Sequence, residues 1–346
     1  MPASFASWLE LRRARAGASV LDLRPSLARR LAGPPRVDEA PLDPNLQLLF
    51  RVQALAGEGS FADQGGVAEA RHFYRVASRH VFALPEPPVA HTADREIPGP
   101  GGPIPVRIYR PADTAPLPVI VYLHGGGFCV GDLETHDPLC RRLARDVHAL
   151  VVSVDYRLAP EHPAPAGVED AIAALGWVAQ HAAELGGDPA RVAVAGDSAG
   201  ACLACVATQE VPVHFQLLFY PVAESYADTA SRARFAEDHG LTRADVEFFS
   251  AHHLGGFDPA DPRVAPLRSP NLARCPPTRV IVAGFDVLRD EGRALGEALR
   301  RAGVDATTVT MGSLAHGFAQ MTRVAACRDG LEDGIAALRR AFEAPA

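Results

Sequence analysis

"VAVAGDSAGACLA", residues 192–204, decides the fold. A run of small strand-forming residues stops at Ser198, which stands between Gly196 on one side and Ala199 and Gly200 on the other, and a helix-forming stretch follows at once. A buried strand that turns into a helix within two residues forces the corner residue into a backbone conformation that side chains rarely adopt. Its neighbours must then be small, and here they are glycine and alanine. The pattern lifts one hydroxyl above the end of a sheet, at a helix N-terminus whose backbone N–H groups favour negative charge. A five-residue pattern also arises by chance, so its surroundings decide.

Those surroundings repeat one rhythm. Short β-branched runs recur at 106–109, 119–123, 150–154, 192–195, 216–219, 280–283 and 306–310. Most are apolar throughout rather than alternating, which predicts strands covered on both faces, as in a parallel sheet. Helical patterns at 137–147, 167–185, 199–209, 291–302 and 331–342 fall between and after them. Strands alternating with helices predict an α/β fold with helices on both faces of a mostly parallel sheet. Two stretches break the rhythm. Residues 42–85 read as helical ahead of the first strand, and 224–265 insert helix-like sequence between two strands. Both are candidates for a lid over the carboxyl ends of the strands, where open α/β sheets bind ligands. The catalytic domain is therefore expected over 86–346, interrupted by that insertion. Residues 1–41 form an arginine-rich extension whose sequence leaves an extra helix, a dimer contact and a disordered arm equally open.

Composition narrows the function. With 346 residues, 48% hydrophobic and 22% charged, the chain has the make-up of a folded protein rather than a disordered one. No apolar run approaches the roughly 20 residues that span a bilayer. The first 17 residues lack the apolar centre of a secretion signal, and Glu10 and Asp22 argue against a transit peptide. A cytoplasmic location is the expectation. A formal charge of −7 with a pI near 6.0 leaves no basic footprint for nucleic acid. All 34 basic residues are arginine, so lysine chemistry such as a Schiff base is excluded. Six cysteines (129, 140, 202, 205, 275 and 327) show no framework spacing. Cys202 and Cys205 form C-x-x-C, read here as two small buried residues one helical turn apart, because no second pair at ligand spacing follows. Neither a metal nor a cofactor is expected.

A serine hydroxyl needs a base, and the base needs an orienting acid. On this architecture they follow in the order serine, acid, histidine. Asp286 stands in "FDVLRDEG" just beyond the strand at 280–283, and His316 stands in "GSLAHGF" after the last strand. His316 is the final one of thirteen histidines and the sole one downstream of Asp286. Asp290 is the competing acid, but it falls at the start of a helix, where capping is its ordinary role. "LHGGGF", 123–128, follows another strand, and its glycines let the backbone approach a substrate with N–H groups exposed. The expected donors to an oxyanion are the N–H groups of Gly125, Gly126 and Ala199. Removing one such donor typically costs about 2.7–4 kcal/mol of transition-state stabilisation. His124 precedes the serine on another segment and is expected to hold its own loop.

Taken jointly, "YLHGGGFCVGDLETHD", "VSVDYRLAPEHPAPAGVEDA", "GDSAG", "DVLRDEG" and "HGF" resemble the hormone-sensitive-lipase-like family of α/β-hydrolases, the bacterial carboxylesterases marked by HGGG and GDSAG. The resemblance runs from about residue 42 to the C-terminus. It implies a serine esterase with a helical cap, acting on short-chain acyl esters of small molecules through an acyl-enzyme, without a cofactor, and it leaves a homodimer open. It carries the nucleophile onto Ser198, the acid onto Asp286, the base onto His316 and the oxyanion hole onto Gly125, Gly126 and Ala199. The chain departs from the family at Ala201 and Cys202, where glycine and asparagine are usual, at Glu224, where aspartate is common, and in a shortened segment after Ser198. Amidase, deacetylase or lactonase activity would use the same machinery. A ligand receptor without catalysis, and a metal or redox centre on Cys202, Cys205, His252 and His253, are the readings from other classes.

Overall fold

The computed structural model describes residues 5–56, 60–85, 88–112, 116–224 and 226–344. The expected boundary at residue 86 and residue 225 of the expected insertion lie outside them. The chain starts with helices α1 (Phe5–Leu21), α2 (Pro25–Ala32), α3 (Pro44–Ala56) and α4 (Val67–Ala77), the last running into a π turn at Ser78–Phe82. Then come β1 (His91–Ile97), β2 (Ile104–Arg110), β3 (Leu117–Leu123), α5 (Asp137–Val147), β4 (Leu150–Val154) and α6 (Ala166–His181). The corner at Ser198 joins β5 (Gly187–Asp197) to α7 (Ala199–Glu210), followed by β6 (Phe215–Phe219). Helices α8 (Ala230–Arg234) and α9 (Arg243–Leu254) lead to β7 (Thr278–Phe285), α10 (Arg289–Arg301), β8 (Ala306–Ala315) and α11 (Ala325–Glu343).

The strands form one sheet in the order β1-β2-β4-β3-β5-β6-β7-β8. From β4 through β8 neighbouring strands run parallel, while β1 and β2 pair antiparallel at one edge. Val119, Ile120 and Val121 on β3 and all of β4 are fully enclosed, which is why these strands read as unbroken apolar runs. The seven predicted runs fall within β2 to β8. β1 escaped notice because an edge strand needs no apolar run: six of its seven residues are exposed. α11 begins at Ala325, earlier than its apolar pattern implied, with Cys327 and Gly330 buried in its first turns. The arginine-rich extension carries two helices; Ala14 and Leu21 of α1 join the main core, and Ala28 and Ala32 of α2 pack on Leu48 of α3. Among the described residues, no helix is long and apolar enough to cross a membrane.

Packing is very tight at the corner after β5. A Cβ built on Gly200 would stand 2.0 Å from the Leu123 carbonyl oxygen, and one on Gly196 would stand 2.5 Å from Gly200 itself. The start of α7 therefore lies directly against the end of β3, from which the "HGGG" loop departs. In an ordinary helix, replacing glycine by alanine stabilises by roughly 1 kcal/mol. Here the sign reverses: Gly200→Ala is expected to destabilise by about 1–3 kcal/mol through overpacking. Urea unfolding of the purified variant measures this, and a midpoint equal to or above that of the wild type would contradict it.

Candidate active site

Ser198 sits at φ 54°, ψ −117°, outside the regions that a side chain adopts freely. The strain is held by pairing on both sides, since the Ser198 N–H donates to the Phe219 carbonyl (2.9 Å) and its own carbonyl accepts from Ala201 (3.1 Å). The corner aims the hydroxyl away from the strand, at the N-terminus of α7.

Two loops bring partners to it. Asp286 follows β7 and is buried; its Oδ1 accepts from the Leu288 N–H at 2.8 Å, which fixes the carboxylate plane. Its Oδ2 lies 2.8 Å from His316 Nδ1, and His316 Nε2 lies 2.9 Å from Ser198 Oγ. With Nδ1–H donated to the carboxylate, Nε2 is left as the acceptor facing the hydroxyl. His316 sits directly after β8, and Gly317 at φ 80° turns the chain back under the imidazole. The Tyr220 ring lies 4.7 Å from the imidazole, centre to centre. Asp290 is not part of this cluster: it occupies the first turn of α10, and its Oδ2 accepts from the Ser231 N–H at 2.8 Å.

The glycine loop requires one correction. The Gly125 N–H, expected to serve an oxyanion, donates to Asp197 Oδ1 at 2.9 Å and is already taken. The backbone then turns through Gly126 (φ 126°) and Gly127 (φ 57°). Among the described residues neither of their N–H groups has a protein acceptor, and both glycines line the cavity at Ser198. A Cβ on Gly126 would meet the Val130 carbonyl at 2.1 Å, and one on Gly127 would meet the Phe249 ring at 2.2 Å, so neither position admits a side chain. Ala199, the first residue of α7, offers the third N–H, ahead of the helix's own ladder. The sequence could not rank the three glycines, because Asp197 selects among them through space.

Asp197 is the residue that motif analysis passed over. Besides Gly125 it accepts from the Tyr122 hydroxyl at 2.7 Å, and His136 Nε2 lies 3.2 Å from the same Oδ1. Burial alone would raise its pKa, but the charge and hydrogen bond of His136, with Tyr122 and Gly125, outweigh it and hold the carboxyl at about 2. Gln320 Nε2 reaches the Tyr74 hydroxyl (2.6 Å) and the outer Asp197 oxygen (3.4 Å). Asp197 stands inside "GDSAG" and His136 near the end of "YLHGGGFCVGDLETHD", so both could have been suspected; Gln320 follows "HGF" by two residues, and the sequence does not show that it turns toward Asp197. His124 serves its own loop: its carbonyl accepts from the Tyr156 hydroxyl (2.7 Å) and its ring stacks on Tyr156 at 4.3 Å. Burial, followed by neighbouring His136, lowers the His124 pKa to about 4.

Above Ser198 lies an apolar cavity of about 120 Å³. Its roof comes from the segments that break the strand–helix rhythm: Leu49 and Phe50 of α3, Phe61, Tyr74 of α4, and Val246 and Phe249 of α9. The Phe61 ring meets Tyr74 of its own segment edge to face at 5.7 Å and Phe249 of the other segment at 5.1 Å, tilted by 53°, so the two segments touch through Phe61. His253 of α9 stacks on Phe128 at 3.8 Å, and burial lowers its pKa to about 4. Cys202 and Cys205 are buried free thiols on α7, and Cys202 Sγ lies 4.0 Å from the Val264 carbonyl. Glu224 pairs with Arg268.

With this geometry in place, comparison with known proteins places the chain. A family model described as the alpha/beta hydrolase fold matches residues 120–320. The carboxylic ester hydrolase LipN of Mycobacterium tuberculosis is 41% identical over 343 residues, covering 93% of this chain and 90% of LipN. The carboxylesterase NlhH of the same organism is 42% identical over 253 residues, 70% of this chain and 79% of its own. Among solved structures, the ester hydrolase EH1AB1 from the Lake Arreo metagenome, complexed with a bipyridine phosphonate derivative, superposes with a TM-score of 0.82 at 36% identity, covering 88% of this chain and all of that one. The thermostable carboxylesterase EstE1 from a metagenomic library gives 0.77 at 40% identity, over 81% of this chain and 99% of its own. The chain belongs to the hormone-sensitive-lipase-like carboxylesterase family of the α/β-hydrolases.

Proposed function

We propose that the chain hydrolyses short-chain carboxylic esters through an acyl-enzyme on Ser198. The observation that carries this is the continuous relay from Ser198 Oγ through His316 to Asp286, with both links under 3 Å. His316 Nε2 takes the serine proton as Oγ attacks the ester carbonyl, and Asp286 orients the imidazole and stabilises its cation. The carbonyl oxygen, now an oxyanion, accepts from the N–H groups of Gly126, Gly127 and Ala199. His316 then protonates the leaving alcohol, and a water molecule, deprotonated by the same imidazole, releases the acid.

Residues 42–85 and the insertion near 224–265 act as the cap in this reading. Their aromatic side chains exclude water from the reacting carbonyl and strengthen the hydrogen bonds to its oxygen. The small apolar cavity favours short acyl groups. The same machinery would cleave activated amides or lactones more slowly or faster according to how the leaving group fits the cap, and esters are placed first because LipN, NlhH and EstE1 carry ester-hydrolase names.

Hydrolysis of p-nitrophenyl butyrate tests the assignment. Ser198→Ala is expected to lower kcat about 100,000-fold or more while leaving the unfolding midpoint nearly unchanged. Turnover within tenfold of wild type would remove Ser198 from the reaction.

A second prediction concerns the carboxylate beneath the oxyanion loop. The folded Asp197 pKa, about 2, lies below its ordinary 3.8. The resulting stabilisation is thus fully present above the ordinary value and is lost as pH falls toward the folded one. Wild type should exceed Asp197→Asn in unfolding free energy by a margin with a pH-independent part plus about 2 kcal/mol from this linkage. Urea titrations should give a steady difference from neutral pH down to roughly pH 5 and a clearly smaller one at roughly pH 3. The same difference at both ends would show that the carboxylate charge is not held as described.

A further inference from the structure

Residues 36–43, where the arginine-rich extension passes into the segment that starts at residue 42, cross the molecule next to the loops that carry Asp286 and His316. Asp38 presents one carboxylate oxygen to Arg289 and the other to Arg234 of α8. The Asp38 and Arg289 side chains are each only 9% exposed, so this is a largely buried pair. The nitrogen of Arg289 that meets Asp38, Nη1, also donates to the Gly284 carbonyl at 3.1 Å, two residues before Asp286. The Arg289 backbone N–H donates to the Asp286 carbonyl at 3.1 Å. Arg289 therefore brackets the acid loop from both ends, and Asp38 holds Arg289 in place. Five residues on, the Asp43 N–H donates to the Ser313 carbonyl at 2.9 Å, three residues before His316, and Ala40 lies against Gly312.

We propose that Asp38 is a positioning residue for catalysis: through Arg289 it sets the height of the Asp286 loop, while Asp43 in the same strap fixes the strand end that carries His316. This rests on the esterase reading of the site. The physical case is the asymmetry of a buried ion pair. With Asp38 neutralised, Arg289 keeps Asp290, 3.1 Å from its Nε on the more exposed side, as its one hydrogen-bonded carboxylate among the described residues, Glu39 standing off at 3.9 Å. The guanidinium then turns toward Asp290 and leaves the Gly284 carbonyl, and the acid loop loses its brace. Asp286 and His316 remain present but less well aligned, a defect that acts on kcat rather than on substrate binding. Glu39 provides the contrast. Its Oε1 also faces Arg289 Nη1, but at 3.9 Å, beyond hydrogen-bond distance, and its side chain is half exposed; its close partner is Arg293, at 2.6 Å, so it adds charge near Arg289 without bracing the acid loop.

The test compares Asp38→Asn with Glu39→Gln, which remove the same charge from adjacent positions of the full chain. With p-nitrophenyl butyrate, Asp38→Asn is expected to lower kcat about tenfold with KM changed by less than about twofold. Glu39→Gln should move neither by more than about twofold. Arg289→Lys is the second variant: it keeps the charge opposite Asp38 but lacks the planar fork that reaches Asp38 and Gly284 together, and the same kcat loss is expected. A folded Asp38→Asn enzyme with wild-type kcat, whatever its unfolding midpoint, overturns the proposal, as does a loss expressed in KM alone. A wild-type chain that neither turns over the ester nor is labelled by a p-nitrophenyl phosphonate overturns the esterase reading and this role with it, whereas an active wild type with unaffected variants overturns this role alone.

Discussion

A carboxylate buried immediately before the corner serine holds the site together. Asp197 ends β5, and from there it accepts hydrogen bonds from β3 through Tyr122, from the glycine loop through Gly125 and from the segment before α5 through His136. An ionised carboxylate in such a place would be costly without partners, and it has a full set. The consequence is geometric. The strained turn at Ser198 and the loop at 125–127 are bolted to one anion, which fixes the Ser198 hydroxyl relative to the N–H groups of that loop. Tying up Gly125 also leaves Gly126 and Gly127 as the N–H groups that face the cavity.

That arrangement shows what could be read from the chain and what could not. Chain order and strand ends pointed to Ser198, Asp286 and His316, and the fold brings these three within hydrogen-bond distance. Such residues leave a local signal because each must sit on a short turn at a strand end, with small or loop-forming neighbours. The glycines of "HGGG" differ only in their spatial partners, so nothing local could show that Gly125 is occupied. The same holds for His136, near the end of "YLHGGGFCVGDLETHD", and for Gln320, four residues after His316: both stand in or beside motifs, but nothing in the sequence shows that they turn toward Asp197. β1 escaped notice for the opposite reason: an exposed edge strand lacks the apolar run by which the interior strands were recognised.

The extension at 1–41 could not be assigned because its arginines suit many roles. In the fold, α1 and α2 pack on α3, which lines the cavity, and the strap after them meets α8 at Arg234 and the Asp286 loop at Arg289. The aromatic contacts of Phe61, Tyr74 and Phe249 join the two cap segments above Ser198. Segments outside the α/β core thus line the cavity above Ser198 and contact the loop that carries Asp286.

The most direct measurement is a crystal structure of the enzyme inactivated with an alkyl p-nitrophenyl phosphonate, whose tetrahedral phosphorus mimics the ester transition state. We expect phosphorus bonded to Ser198 Oγ and one phosphoryl oxygen within hydrogen-bond reach of the N–H groups of Gly126, Gly127 and Ala199, with Gly125 still bonded to Asp197. Phosphorus on another residue, or a phosphoryl oxygen turned away from those three groups, would contradict this assignment.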